Sequence, residues 1–339
     1  MMTLEQIYQL AIKMGLDSDL RSRKQVLKNQ QRLKDKYDQM SPSQKKEFDQ
    51  ERLNNPYSDT RIVYGNPKTE IKRILVGVDI DVAELMLAKK IVEESGQPID
   101  LCLSHHPQAG ALAALGEVMD MQAEILAMYG IPINIAQNLL NIRIGEVSRN
   151  LFCGNLYRAV DAAKLLKQPL MCVHTPADNL VTSYLDQAIK KQKPEFVGEL
   201  LELIKEIPEY NQAIKMNIGP RLFAGKKDNY VGKIAITEMT GGTSGSVKTY
   251  EKYAQAGIGT IVGMHMSEEY KNEAEKNHIN VVISGHMASD SLGMNLFLDE
   301  LEKKGIEIIP CSGLIRVSRN KTVAKAKLVK KDKKIKRKR

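Results

Sequence analysis

The feature that most constrains the fold of this chain is an alternation of short apolar runs with longer amphipathic segments between residues 71 and 310. Apolar runs of about four to eight residues are typical of buried strands, and an apolar residue at every third or fourth position is typical of helices. Strands that alternate with helices predict an α/β fold in which the sheets are covered by helices.

The predicted elements fall into two halves. The predicted strands are 71–78, 99–103, 169–174, 218–223, 230–237, 260–264, 281–284 and 306–310, with a weaker strand pattern at 131–136. The predicted helices are 82–95, 109–130, most of 138–166, 195–207, 247–256 and 292–301, and a further helix follows the segment 175–178 and runs to about residue 192. We therefore predict a core over residues 55–320 made of two α/β lobes, at about 55–190 and 191–320.

The two ends of the chain differ from this core. Residues 1–54 are highly charged with helical spacing, which predicts an N-terminal helical arm, either solvated or lying on a partner subunit. Residues 321–339 hold eleven Lys/Arg and one Asp, and the rest of the chain holds 39 basic and 40 acidic residues. The net charge of +9 therefore belongs to a basic tail, which we expect to be disordered. Nucleic-acid binding through this tail is the less favoured alternative, because no aromatic residue is interleaved for stacking.

Other sequence features bear on the compartment. No apolar run approaches the ~20 residues that span a bilayer, and the first ten residues lack the order of a signal peptide. The four cysteines form no CxxC pair, which argues against disulfides and zinc knuckles. We expect a cytoplasmic protein with reduced thiols and no membrane contact.

Two adjacent histidines, His105 and His106, follow the predicted strand 99–103 and precede Pro107. Neighbouring residues of a strand point to opposite faces. Both rings reach one centre only if the backbone leaves the strand here, and proline favours such a departure. Neutral imidazole is the commonest metal ligand in proteins. The pair is therefore a candidate metal site, and the alternative is a polar strand end that caps a loop.

Two further strand ends carry a histidine and a carboxylate four residues apart, in the pairs His174/Asp178 and His286/Asp290. At the start of a helix, residues four apart share a face. Open α/β sheets bind ligands beyond the carboxyl ends of their strands. Three such strand ends in one chain favour a metal site between the two lobes, although Asp290 or Ser289 could instead cap a helix.

Three other features are candidate functional groups, and each has a purely structural alternative. Asp79 and Asp81 are either acid/base groups or helix caps. The turn 241–246 could cradle a phosphate with its backbone N–H groups, but it lacks the lysine of a P-loop and a flexible turn is favoured. His265 follows the predicted strand 260–264 and either lines the same cleft or is a structural histidine.

Taken in order, these motifs resemble those of the Nif-three-like dinuclear metal proteins, also called GTP cyclohydrolase I type-two homologues. The resemblance covers roughly residues 55 to 318 and includes the turn and strand from Tyr57 to Asp81. It implies a toroidal homohexamer with its sites facing an internal cavity. It also implies two metal ions, held by the residues that match the family ligands, which are His105, His106, Asp178, His286 and Asp290.

Two positions depart from the family pattern. The last ligand in the family is usually Glu, whereas this chain has Asp290, which is one methylene shorter and requires a closer helix or a different binding mode. The family often has a Gly-Glu pair followed by His, whereas Gly263-Met264-His265 keeps the histidine without the glutamate.

The implied ligands are all nitrogen and oxygen donors, which suit Zn, Mn, Fe, Co or Ni. The resemblance implies a dinuclear metal-dependent hydrolase that opens the guanine ring of a nucleotide such as GTP, with His265 and His174 as candidate proton-transfer groups. The alternative is a non-catalytic metal-binding hexamer that handles metals or acts as a regulatory scaffold.

Overall fold

A computed structural model describes residues 1–320 of the chain. The predicted basic tail, 321–339, lies outside these residues. In chain order the strands are β1 Met2–Thr3, β2 Arg61–Tyr64, β3 Glu70–Ile71, β4 Arg73–Gly77, β5 Leu101–Ser104, β6 Leu170–Cys172, β7 Arg221–Ala224, β8 Lys233–Glu238, β9 Ile258–Gly263, β10 Asn280–Ile283 and β11 Glu307–Pro310.

Fifteen α-helices and one short 3-10 helix at Gln50–Leu53 accompany these strands within residues 1–320. The helices are α1 Leu4–Ser18, α2 Arg23–Asp38, α3 Pro42–Glu47, α4 Val82–Ser95, α5 Ala109–Ala113, α6 Leu115–Met119, α7 Met121–Met128, α8 Ile133–Phe152, α9 Arg158–Leu165, α10 Thr175–Gln192, α11 Val197–Lys205, α12 Pro208–Lys215, α13 Thr249–Gln255, α14 Glu268–Lys276 and α15 His286–Lys303. None of the helices in this range is long and apolar enough to cross a membrane.

The strands form two main sheets. The first has the order β11-β4-β5-β6-β2, and the second has the order β7-β10-β9-β8. In each sheet every pair of neighbouring strands is parallel except one. The exception is an edge strand, β2 in the first sheet and β7 in the second, which is antiparallel to its neighbour. The structure therefore confirms the predicted α/β class, with parallel sheets covered by helices.

Alternating side chains of β4 show how the first sheet is covered. Ile74 and Val76 pack on the face that meets α1, α10 and α15, whereas Leu75 packs on the face that meets α4 and α9. This is the period-two alternation of a strand that is buried on both faces. In the second sheet, Val262 faces α10, α11, α12 and α15, and Ile261 faces α7, α8, α13 and α14.

Helices α10 and α15 contribute to the hydrophobic cores on both sheets and form a layer between them. They pack unusually closely, because a Cβ at Gly293 of α15 would lie 2.2 Å from the carbonyl oxygen of Ala177 in α10. Their N-terminal ends follow β6 and β10, so both helices begin at the carboxyl edges of the sheets.

Several predicted boundaries differ in the structure. The strand β11, which we placed in the second lobe, pairs in parallel with β4 of the first sheet, so the chain returns to that sheet at its end. The first helix is not an arm, because Leu4, Ile7 and Ala11 are fully buried in the core. The expected solvated helices are α2, with Val26 as its one buried residue, and α3, which has none.

The segment 109–130 was predicted as one helix and is divided into α5, α6 and α7. The chain bends near Ala114 and Asp120, and the separate pieces pack along α8. The prediction of a possible strand at 131–136 was also wrong. Pro132 sits at the start of α8 rather than in a strand, and Ala136 and Leu140 form a buried pair at helical spacing on that helix.

Candidate metal centre

The backbone leaves strand β5 at the two adjacent histidines. The His105 N–H donates to the carbonyl oxygens of Gly77 and Val78, and the His106 N–H also donates to Val78. The two rings then lie on the same side of the sheet, with their centroids 5.2 Å apart. The rings thus converge, although neighbouring residues in a regular strand would diverge.

Each histidine of the first sheet is oriented through its Nδ1 atom. His105 Nδ1 donates to the carbonyl oxygen of Val173 at 3.0 Å. His106 Nδ1 lies 2.7 Å from Asp79 Oδ1, and His174 Nδ1 lies 2.8 Å from Asp59 Oδ2. A carbonyl or carboxylate partner on Nδ1 fixes the tautomer and leaves Nε2 with a free lone pair.

The two helices of the central layer supply the carboxylates. Asp178 lies in the first turn of α10, and Asp290 lies one turn into α15, four residues after His286. Gly285, with φ of +103°, turns the chain from β10 into α15, a conformation that L side chains rarely adopt. The close packing of the two helices brings the two carboxylates together between the sheets.

The donor atoms form two groups that share Asp290. In the first group, His105 Nε2 lies 3.5 Å from Asp178 Oδ1 and 3.5 Å from Asp290 Oδ1. In the second group, Asp290 Oδ2 lies 3.6 Å from His106 Nε2 and 3.5 Å from His286 Nε2. The structure therefore brings together all five residues that the family resemblance implied as ligands.

These separations suit bound cations. Two donors that are each about 2.1 Å from one metal, at a tetrahedral angle, lie about 3.4 Å apart. Asp178 Oδ1 and both carboxylate oxygens of Asp290 are buried and accept no hydrogen bond from residues 1–320. Burying unpaired carboxylate oxygens is costly, and a cation between them would remove that cost. The donor set thus fits the implied metal.

His174 also belongs to this cluster. Its Nε2 lies 3.8 Å from Asp178 Oδ2, and its donor atom groups with those of His105 and His106 within 4.8 Å. His174 was predicted as a proton-transfer group, and its position makes it equally a candidate ligand. Five of the six histidines in the chain therefore line one region, and His278 is the exception.

Burial and mutual charges set the ionisation of the metal-free cluster. Burial opposes the protonation of His105, but the carboxylates of Asp290 and Asp178 outweigh it and raise the pKa of His105. Burial raises the pKa of Asp178 well above its ordinary range. Burial lowers the pKa of His286 to about 4, so this ring is neutral near neutral pH. A proton on His105 thus occupies the place that a cation would take.

A small cavity of about 30 Å³ lies beside the cluster. Its lining combines candidate ligands with residues of the second sheet, and includes His174, Asp178, His286, His265 and Glu238. His265 follows β9, and its Nδ1 lies 3.4 Å from the Ser244 hydroxyl. Burial lowers the pKa of His265, so the ring is neutral and able to accept a proton.

The turn 241–246 forms one wall of this cavity, and its carbonyl groups are tied down. Gln122 donates to the carbonyl oxygens of Gly241 and Thr243, and Tyr270 donates to that of Gly245. The turn is therefore a fixed part of the site, although it was predicted as a flexible turn.

Sequence reasoning missed Asp59 and Glu238 and left Asp79 open between an acid/base group and a helix cap. Asp59 was treated only as part of a turn cluster, and nothing local to it predicts its contact with His174. Asp79 was weighed as a helix cap, but it binds His106, and it is Asp81 that caps α4. Glu238 was overlooked, although its place at the end of a predicted strand was a usable signal.

Comparison with known proteins supports the fold assignment. No family model and no curated protein matches this sequence. A crystal structure of a NIF3 superfamily protein from Sphaerobacter thermophilus is 25% identical with a TM-score of 0.68, over 76% of this chain and 92% of that chain.

Two more distant structures also align. Reduced HcgD from Methanocaldococcus jannaschii is 19% identical with a TM-score of 0.45, over 74% of this chain and 87% of that chain. A Bacillus cereus protein related to NIF3 is 11% identical with a TM-score of 0.38, over 74% and 89%. The likeness to the Sphaerobacter protein, together with the shared α/β architecture, supports a NIF3-like family for this chain.

Proposed function

We propose that the protein holds two divalent cations in its His/Asp cluster and acts as a metal-dependent hydrolase, with a nucleotide as the substrate class. The observation that carries this proposal is the pair of donor groups that share Asp290 and leave buried carboxylate oxygens unpaired. His105, Asp178 and Asp290 would hold one cation, and His106, His286 and Asp290 would hold the other.

The donors are imidazole nitrogens and carboxylate oxygens, which suit Zn, Mn, Fe, Co or Ni. When bound, such cations act as Lewis acids that acidify water and polarise a substrate oxygen. The four cysteines are free thiols outside the cluster, which supports a reducing compartment such as the cytoplasm.

The chain's own residues would handle substrate and protons around the cations. The second donor group is the accessible one, because the side chains of His106 and His286 are 26% and 40% exposed, whereas those of His105 and Asp178 in the first group are 1% and 5% exposed. A substrate would therefore approach from the side of His106 and His286. The neutral ring of His265 is placed to accept a proton at the cavity.

The size of the cavity favours a second candidate function. A volume of about 30 Å³ suffices for water but not for a nucleotide, since ligand pockets are typically about 300–1,000 Å³. A non-catalytic metal-binding protein, which handles metals or acts as a regulatory scaffold, needs no larger space. Self-association, with the homohexamer as the expected form, is compatible with both functions.

A metal-reconstitution experiment tests the proposal. The full chain is stripped with a chelator, reloaded with each candidate metal, and assayed against nucleotides and phosphoesters. We expect turnover that is lost in His105→Ala and kept in His278→Asn, a control at the sixth histidine, whose backbone φ of +58° asparagine tolerates. Stoichiometric metal binding without turnover on any substrate would favour the non-catalytic function.

A further inference from the structure

Glu238 is a carboxyl group of the cavity that has no place in the donor groups described above. Glu238 is the last residue of β8 and is 8% exposed. It lines the same cavity as His265 and His286 and belongs to none of the groups that could hold a metal within residues 1–320. The site therefore contains a buried acid that the cations do not require.

The neighbouring strand leaves room for this side chain. A Cβ at Gly263 of β9 would lie 2.8 Å from the Cβ of Glu238, closer than real Cβ atoms approach. Glycine at this position allows Glu238 to lie over β9 at its carboxyl end, where His265 also projects from the chain. The Met264 N–H donates to the Glu238 carbonyl oxygen at 3.1 Å, which fixes the backbone of the acid against β9.

We propose that Glu238 is a further proton-transfer residue of the cavity, beside His265, and this role rests on the hydrolase function proposed above. In its carboxylate form, Glu238 accepts a proton from the attacking water while the water oxygen bonds to the electrophilic atom of the substrate. In the second half of the reaction, the Glu238 carboxylic acid gives that proton to the leaving atom as its bond to the substrate breaks. One water is consumed, and Glu238 returns to its starting state.

The surroundings of Glu238 support this role. Burial raises the pKa of Glu238 to about 7, although hydrogen bonds from Ser244 and Gly245 and the charge of Arg143 oppose the shift. Both forms of the carboxyl group are then populated near neutral pH, the condition that favours general acid–base catalysis. The other titratable or charged groups that face it or share its cavity are Arg143, Tyr250, Tyr253, Tyr270, His265, His174, Asp178 and His286. The three tyrosines have raised pKa values and stay neutral in this range.

The test compares Glu238→Gln with Glu251→Gln in the full-length, metal-loaded protein. Gln keeps the size and an acceptor for Ser244 and Gly245 but cannot carry a proton. Glu251 lies on α13 with its side chain 56% exposed and serves as the matched control. For Glu238→Gln we expect a turnover lower by about 10²–10⁴-fold, unchanged metal content, an unchanged melting temperature, and loss of the pH dependence near neutrality.

A second readout is independent of turnover. Difference infrared spectra of the metal-loaded protein between about pH 5 and about pH 9 should show a protonated carboxyl stretch in the wild-type protein. This signal should be absent in Glu238→Gln and present in Glu251→Gln. An active Glu238→Gln variant with the wild-type pH profile would overturn the role of Glu238 and leave the proposed hydrolase function standing. A metal-loaded wild-type protein without turnover would instead overturn the hydrolase function and this role with it.

Discussion

The two sheets contribute to the metal centre in different ways. The histidines of the first sheet, His105, His106 and His174, are each held through Nδ1 by a carbonyl or a carboxylate. On the second sheet, His265 has only a 3.4 Å contact with a hydroxyl. No hydrogen bond from the described part of the chain holds the ring of His286.

This difference indicates that the histidines of the first sheet form a rigid half of the site, whereas His265 and His286 of the second sheet form an adaptable half. A hydrogen bond to the Nδ1 atom of a histidine that binds metal through Nε2 fixes the orientation of the ring and raises its basicity as a ligand. The group of His105, Asp178 and Asp290 is also almost completely buried, whereas His106 and His286 are partly exposed. We therefore expect the first group to bind its cation more tightly and the second group to exchange its cation with solution.

The largest effect should come from Asp290, the residue that the two donor groups share. Replacing Asp290 with Asn keeps the size but removes the anionic donor from both groups. We expect an affinity loss of at least ~100-fold for both cations, measured by metal analysis after dialysis, with the metal-free fold intact. Asp186→Asn, on the part of α10 beyond the site, is the control. Full occupancy of both sites in Asp290→Asn would show that Asp290 is not a ligand.

A second prediction concerns the helix contact that joins the halves. Gly293→Ala would place a Cβ 2.2 Å from the Ala177 carbonyl oxygen, so α10 and α15 must move apart. We expect a loss of about 1–3 kcal/mol in unfolding free energy, measured by denaturant titration, together with weaker metal binding. Gly257→Ala controls for the loss of a glycine, since no atom lies within 4 Å of its Cβ position, although its φ of +77° adds some local strain. Equal stability and equal metal affinity in Gly293→Ala and the wild type would contradict the proposed role of this contact.

The third prediction compares the orienting groups of the two halves directly. Asp59→Asn removes the carboxylate that holds His174 Nδ1 and also accepts the Thr175 hydroxyl, whereas Ser244→Ala removes the loose contact of His265 and the hydrogen bond of Ser244 to Glu238. We expect Asp59→Asn to weaken metal binding by about 10–100-fold and Ser244→Ala to leave it nearly unchanged. Calorimetric titration of both variants measures this, and the opposite order would remove the distinction between a rigid and an adaptable half.

The smallest expected effect is on the pH dependence of the metal-free protein. The pKa of His105 is raised above its ordinary 6.5, so its stabilising contribution is complete below pH 6.5 and is lost as pH rises through the folded pKa. The raised pKa of Asp178 acts in the same direction, because the folded protein must then bury its charge. The pKa of His286 is lowered to about 4, so its contribution is lost as pH falls from 6.5 toward 4.

The stability of the metal-free protein should therefore fall as pH rises above 6.5. Its melting temperature should fall by roughly 2–4 °C toward about pH 8, which corresponds to about 1 kcal/mol. Bound metal replaces the proton on His105, so scanning calorimetry of the loaded protein should show this fall reduced or reversed. A metal-free protein that gains stability across the same range would contradict the assigned pKa directions.

Much of the site could be predicted from local sequence. The pairs His174/Asp178 and His286/Asp290 are local patterns, because a spacing of four residues at a helix start places both side chains on one face. The departure of the chain from β5 at His105 and His106 was also predictable, since Pro107 cannot continue the ladder. These motifs identified all five residues of the two donor groups.

Contacts between distant segments could not be predicted in the same way. Asp59 meets His174 across 115 positions of sequence, and β11 pairs with β4 although more than 200 residues separate them. Helix α1 looked like an arm because its outer face is charged, and only packing on α10 and α15 shows that its inner face is core. Hydrophobic patterns give each element a buried face but do not specify which partner covers it.

The sequence by itself determined the α/β class, the order of most elements and the identity of the donor residues, because these depend on interactions within a few positions of the chain. Only the tertiary structure decided that α10 and α15 lie between the sheets, that Asp290 serves both donor groups, and that Glu238 enters the cavity beside Gly263. The physical reason is that close packing at one point, such as Gly293 against Ala177, fixes distances between residues that no local rule connects.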